Sequence, residues 1–226
     1  MIPVDDENPA SIFPFVNWLL ILACVGVFLW QFVTGPEESS RLVTVYGFTP
    51  AKILDGKGYY TVITSMFLHG GFLHLAGNML YLYIFGDNVE DMCGHLRYLV
   101  FYLLSGVIAS VVFMFSAWDS TLPAVGASGA ISGVLGAYVL LFPKARIKTV
   151  IAVGIFIRLV RVPAFVMIGL WFLYQLLLGF AAVETGVAYW AHIGGFLAGL
   201  ALGRPFASRR KRHPIYQRPT YRGDYM

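Results

Sequence analysis

Long apolar runs separated by short polar breaks dominate this chain. Six of the runs, at about 13–34, 72–92, 97–117, 126–142, 163–182 and 187–203, are long and apolar enough to be membrane spans, because a helix crossing the hydrocarbon core needs roughly 20 residues. The pattern predicts an all-α polytopic membrane protein, with six transmembrane helices in one bundle over 13–203, a short segment 1–12 before it and a tail 204–226 after it. The longest connection, 36–71, carries turn signals at Pro36, Gly47-Phe48-Thr49-Pro50 and Gly56-Lys57-Gly58. It also holds Leu42, Val43, Tyr46, Ile53 and Tyr59, so it is too apolar for a disordered linker and is expected to pack at the membrane surface. The stretch 149–161 is apolar but short, and Arg158 and Arg161 close it. It reads as an interfacial or re-entrant piece leading into the fifth span at Pro163. No internal repeat stands out.

Composition agrees with the pattern. The chain is 58% hydrophobic and 12% charged, with a mean hydropathy of +0.71, whereas soluble domains carry about 25% charged residues. The opening Met1-Ile-Pro-Val-Asp-Asp-Glu lacks the basic start of a cleavable signal, and the run from Phe13 is long enough to stay as a span. Charge then sets an orientation. Arg97, Lys144, Arg146, Lys148, Arg158, Arg161 and seven basic residues from Arg204 to Arg222 fall on the side of both termini, thirteen in all, against Arg41, Lys52 and Lys57 on the other. Positive charge stays cytoplasmic, so both termini are expected inside a cell membrane, with the basic tail near anionic lipid. The net charge of +4 thus reflects topology. No aromatic and basic array suggests nucleic acid. Cys24 and Cys93 have no metal-type spacing and read as free, structural thiols.

The candidate chemistry lies in polar residues that share one depth. On this topology the second, fourth and sixth spans start at the outer face, and all four residues of interest sit near those starts. His74 and Asn78 lie in the first turns of the second span, Ser128 opens the fourth in Gly126-Ala127-Ser128-Gly129, and His192 lies about one turn into the sixth. At 1.5 Å rise per residue all four fall within roughly 10 Å of the outer boundary. Each has a plainer reading: Ser128 as a small residue easing helix packing, His192 as a hydrogen-bonded interfacial histidine, His74 and Asn78 as glue between helices. Ionisable groups within spans are costly, which favours function. His69, before the second span, reads as structural. Gly195, Gly199 and Gly203 follow His192 on one helical face, and Ser132, Leu135 and Gly136 continue the Ser128 face. If these faces pack closely, Ser128 and His192 meet as nucleophile and general base. Asp87, Glu90 and Asp91 lie roughly 20 Å down the second span, leaving only Asp119 and Glu184 in outer loops as possible third members. A Ser–His dyad is therefore favoured, with His74, Asn78 and the Ser128 N–H as donors to an oxyanion.

These elements together resemble the rhomboid family of intramembrane serine proteases. They are His74-Leu-Ala-Gly-Asn78, Gly126-Ala-Ser128-Gly129, Ala191-His192 followed by glycines, and His69-Gly-Gly-Phe-Leu-His74 through Gly86-Asp-Asn-Val-Glu90-Asp. The similarity covers roughly 59–203. It implies a six-helix rhomboid-like bundle that cleaves transmembrane protein substrates near the outer face, without cofactor or metal. In that pattern Ser128 is nucleophile, His192 base, and His74, Asn78 and Ser128 form the oxyanion site. Glu90 ties helix ends together, and the fifth helix with its following loop is a lateral gate. Two positions depart from it. Tyr60-Thr61 stands where many members carry Trp-Arg in the first loop, and Ser132 stands where some place a tyrosine against the histidine ring. The competing classes are a weak or inactive rhomboid-like protein that binds membrane segments, and a metal-dependent hydrolase using His69, His74 and His192. The second lacks His-Glu-x-x-His and a nearby carboxylate ligand, and a transporter would need paired, interrupted spans. The sequence does not give the oligomeric state.

Overall fold

The structure, a computed structural model, describes residues 1–153, 156–181 and 186–208. Helices dominate it. In chain order the described elements are β1 (Ile2–Asp6), α1 (Phe15–Val33), α2 (Pro36–Tyr46), α3 (Pro50–Leu54), α4 (Thr61–Thr64) running into a 3₁₀ turn (Ser65–Phe67), α5 (Phe72–Cys93), α6 (His95–Ser116), α7 (Ser128–Leu141), β2 (Arg146–Val153), β3 (Phe156–Pro163), α8 (Ala164–Phe180) and α9 (Tyr189–Phe206). Two helices, Phe15–Val33 and His95–Ser116, are long and apolar enough by themselves to cross a membrane, and Ser128–Leu141 and Ala164–Phe180 are shorter apolar helices. α5 is as long as α6 but interrupts its apolar surface with His74, Asn78, Asp87, Asn88, Glu90 and Asp91.

α7 is the central helix. Every residue from Ala130 to Tyr138 is buried, as expected of a helix apolar on all sides. Its partner is α9, and glycine sets their separation. A Cβ on Gly195 would lie 1.9 Å from the Gly129 carbonyl oxygen, and one on Gly199 2.0 Å from that of Gly133. Only glycine admits backbones this close. The contact stripe on α7 is therefore Gly129, Gly133 and Ala137, flanked by Ser132 and Gly136, while Leu135 lines a cavity on another side. Of the face expected through Ser128, Ser132, Leu135 and Gly136, Ser132 and Gly136 meet α9, while Leu135 does not line that contact and the closest approach runs one step around the helix through Gly129 and Gly133.

The far end of the bundle is pinned by polar groups. Glu90, fully buried, accepts the N–H groups of Val16 and Asn17 at 2.9 and 2.7 Å and meets His95 Nδ1 at 2.5 Å. Free N–H groups and the positive end of the α1 dipole make that helix start a natural seat for a carboxylate. Asn17 extends the knot, donating to the Leu82 carbonyl and accepting from Tyr98 Oη. Cys24 and Cys93 are buried and unpaired by disulfide.

Two expectations need correction. The fold is not all-α: β1, β2 and β3 form an antiparallel sheet in that order. The stretch 149–161 is accordingly part of a β-hairpin rather than a re-entrant piece, apart from residues 154–155, which lie outside the described residues. Its β-branched residues alternate, with Ile147 and Thr149 inward and Lys148 between them turned out, and that period of two suits a strand. The segment before the first helix supplies the third strand. Ile2–Asp6 pairs with β2 and is fastened by Asp5–Lys148 at 2.5 Å and Glu7–Arg161 at 2.7 Å. The connection 36–71 holds three short helices. Tyr60 and Thr64 there donate to the Val45 and Tyr46 carbonyls, an anchoring supplied by hydroxyls where Trp-Arg is missing. Most of the basic tail lies outside the described residues.

Candidate active site

A tight approach to α7 places Ser128. Gly126 takes a positive φ of 130°, and its N–H donates to the Ser65 carbonyl at 2.9 Å, fixing the turn. The first intrahelical bond runs from Ile131 N–H to the Ala127 carbonyl, so the opening N–H groups of the helix have no partner within it. A Cβ on Gly126 would stand 2.8 Å from His74 Nε2 and 3.7 Å from Asn78 Nδ2. The missing side chain is what lets both groups reach the start of α7.

Ser128 and His192 meet across the α7–α9 contact, with Oγ 2.8 Å from Nε2. The close packing of Gly195, one turn after His192, against the carbonyl of Gly129, next to Ser128, explains the reach. The other ring nitrogen, Nδ1, lies 2.8 Å from Gln175 Oε1 on α8. The Gln175 amide nitrogen is directed to the Trp171 carbonyl at 3.4 Å, an acceptor, so the amide oxygen faces the imidazole. An amide oxygen only accepts, which puts the ring proton on Nδ1 and leaves the Nε2 lone pair for the serine hydroxyl. The Trp171 ring lies 6.0 Å from the imidazole, centroid to centroid.

His74 is set in the opposite sense. The Gly70 N–H donates to its Nδ1 at 3.3 Å, so in the neutral ring the proton sits on Nε2, the nitrogen nearest Gly126. Asn78 Nδ2 is buried and makes no hydrogen bond within the described residues. Two N–H donors thus approach the head of α7 at Gly126, two residues before Ser128. They border a cavity of about 540 Å³ lined by residues of α5, α7, α8 and α9 and by residues 123–125 and 186–188, including His74, Asn78, Ser128, Trp171 and His192. A hydroxyl that gives its proton to an imidazole, facing donors for negative charge, can attack a carbonyl bound there.

The remaining predicted residues fall elsewhere. Ser132 donates to the Ser128 carbonyl at 2.7 Å, whereas the His192 ring nitrogens meet Gln175 and Ser128. His69 exchanges hydrogen bonds with Gln31 through its backbone and packs edge-on to His74. Burial first, and the neighbouring His74 second, push the His69 imidazole down to about 4, keeping it neutral. Asp119 is exposed, and Glu184 lies outside the described residues. No group of three His, Cys, Asp or Glu able to hold a metal occurs among the described residues. Gln175 was missed by sequence reasoning. Its signal was one amide in the otherwise apolar run 163–182.

Comparison with known proteins gives the chain a context. A family model described as Rhomboid domain matches residues 56–209. Rhomboid protease GluP of Bacillus subtilis (strain 168) is 31% identical over 201 residues, covering 86% of this chain and 36% of that protein. RHOMBOID-like protein 4 of Arabidopsis thaliana is 33% identical over 172 residues, 75% of this chain and 39% of the other. Rhomboid protein 1, mitochondrial, of Saccharomyces cerevisiae is 31% identical over 196 residues, 79% and 49% respectively. The chain therefore spans between a third and a half of the length of these relatives.

Proposed function

The chain belongs to the rhomboid family, and on that premise we propose that it is an intramembrane serine endopeptidase that cleaves transmembrane protein substrates. The observation that carries this reading is the 2.8 Å contact between Ser128 Oγ and His192 Nε2 on a cavity that His74 and Asn78 also line. Ser128 Oγ attacks the scissile carbonyl as His192 Nε2 takes its proton. The Ser128 N–H, His74 Nε2–H and Asn78 Nδ2–H then hold the tetrahedral oxyanion. His192 returns the proton to the departing amine, and water admitted to the cavity hydrolyses the acyl-serine by the same steps. None of these steps calls on a metal.

The proposed membrane arrangement has six spans, α1, α5, α6, α7, α8 and α9, with both termini cytoplasmic and Ser128 near the outer face. At 14 residues, α7 is about 21 Å long, shorter than the roughly 30 Å hydrocarbon core. A helix that short can begin below the surface and leave room for water above Ser128. Substrate enters between α5 and α8, which line the cavity from two sides.

The test is cleavage of a generic transmembrane substrate by the purified protein in lipid vesicles. Ser128→Ala and His192→Ala each abolish cleavage while the protein stays folded and inserted, and the double variant is no worse, because a nucleophile and its base act as a unit. Cleavage by Ser128→Ala at the wild-type rate would refute the mechanism.

A further inference from the structure

We infer that Gln175 is a positioning residue for His192, fixing the tautomer and ring direction that a carboxylate fixes in a three-membered serine site. The inference rests on the serine-protease reading and specifies how its base is held. Gln175 is buried, at 4% exposure, in a helix whose sequence from Ala164 to Phe180 carries no charged residue. A buried amide in such a helix is unfavourable unless its polar atoms are used, and both are. Oε1 meets His192 Nδ1 at 2.8 Å, and Nε2 is directed to the Trp171 carbonyl. This second contact orients the amide so that its oxygen, rather than its nitrogen, faces the ring. With Nδ1–H committed to Gln175, the Nε2 lone pair points at Ser128 Oγ. The other tautomer would lose the Gln175 bond and place a proton between Nε2 and the serine.

No other group competes for this task among the described residues. From α5 the titratable side chains on the cavity that His192 borders are His74 and Tyr81, and neither makes a hydrogen bond to His192 Nδ1, which Gln175 occupies. α7 and α8 contribute no Asp, Glu, Lys or Arg, and those α6 and α9 carry, Arg97 and Arg204, lie at the far ends of their helices. Ser132 bonds backbone instead. A neutral amide differs from a carboxylate in one respect that can be measured: it orients the imidazole without adding a negative charge beside the imidazolium formed during turnover.

Two substitutions of the full chain in phospholipid vesicles test this, with kcat, KM, the pH profile of kcat/KM and the rate of fluorophosphonate labelling as readouts. Gln175→Leu keeps the volume and removes the acceptor. Its kcat and labelling rate fall about 10–100-fold, the size typical of groups that orient an imidazole, while KM is unchanged. Gln175→Glu restores an acceptor, keeps most of the activity, and moves the acid limb of the pH profile to higher pH, since a carboxylate facing Nδ1–H favours the imidazolium. A side chain at 175 that does not face Nδ1 in the working enzyme would not move that limb. Wild-type kcat and labelling in Gln175→Leu, or an unmoved acid limb in Gln175→Glu, overturns the inference while leaving the serine mechanism standing. If Gln175→Leu melts early, the Gln175→Glu limb decides. Failure of the wild-type protein to label at Ser128 would instead bring down the serine reading and this inference with it.

Discussion

At the scale of single residues, the site is built from polar groups that the surrounding apolar sequence makes conspicuous. Asn78 is the sharpest case, since its amide nitrogen is buried with no hydrogen bond within the described residues, which suits the proposed role of a donor to the oxyanion beside Ser128. Asn78→Ala should lower turnover by about 10²–10³ without preventing fluorophosphonate labelling, because the Ser128–His192 contact is spared. Equal losses of turnover and labelling would place Asn78 in the fold rather than in the oxyanion site. A second residue-level test lies at the far end. Asp6 accepts from Tyr138 Oη and Asn88 Nδ2. Burial first, helped by nearby Asp87 and Asp5, raises its carboxyl from 3.8 to about 7, against the lowering effect of the Tyr138 bond. A raised carboxyl favours the protonated fold, so its contribution to holding β1 is full below about pH 4 and is lost as pH rises through about 7. Hydrogen exchange at residues 2–6 should report looser pairing at the upper end of that window, and Asp6→Asn should flatten the trend. His74, Asn78, Ser128 and His192 could be singled out in the sequence because each interrupts an apolar run near its start. Gln175 interrupts one just as plainly, but late in the run, and only tertiary packing reveals that α8 brings it to the imidazole.

At the scale of elements, apolar run length locates the helices well, while the sheet escaped that reading. Arg146–Val153 and Phe156–Pro163 are apolar enough to look membrane-associated, and the period of two is diluted by the charged residues that pair with Asp5 and Glu7. Pairing with a strand more than a hundred residues away has no local signature. The connection 36–71 hid its helices because each is short and begins at proline or after a turn, as at Pro36 and Pro50. The helix contact that matters most is α7 with α9. Gly199→Val forces a side chain onto the Gly133 carbonyl and should cost at least about 1–3 kcal/mol. It should also separate Ser128 from His192, so activity falls at temperatures where the protein is still folded. Gly26→Ala on α1, where an added Cβ meets nothing within 4 Å, should stabilise by up to about 1 kcal/mol. Thermal melts of the two variants in detergent, side by side with activity, check both. Equal melting temperatures would mean that the α7–α9 contact is looser than the glycine geometry requires.

For the whole molecule, the thirteen-to-three division of basic residues predicts orientation. Cysteines introduced at positions 40 and 120, in a Cys24→Ala, Cys93→Ala background, should react with an impermeant thiol reagent in intact cells. Tags at either terminus should be reachable only after the membrane is opened. An accessible C-terminal tag in intact cells would reverse the topology and move Ser128 to the inner face. The central claim, that Ser128 is a nucleophile activated by His192, is tested most directly by fluorophosphonate labelling of the purified protein, with the modified residue read by mass spectrometry. The account predicts a single adduct on Ser128 in the wild-type protein, unaffected by strong chelators and absent from His192→Ala. An unlabelled Ser128 in a protein that still cleaves its substrate, with activity lost on chelation and restored by zinc, would contradict it.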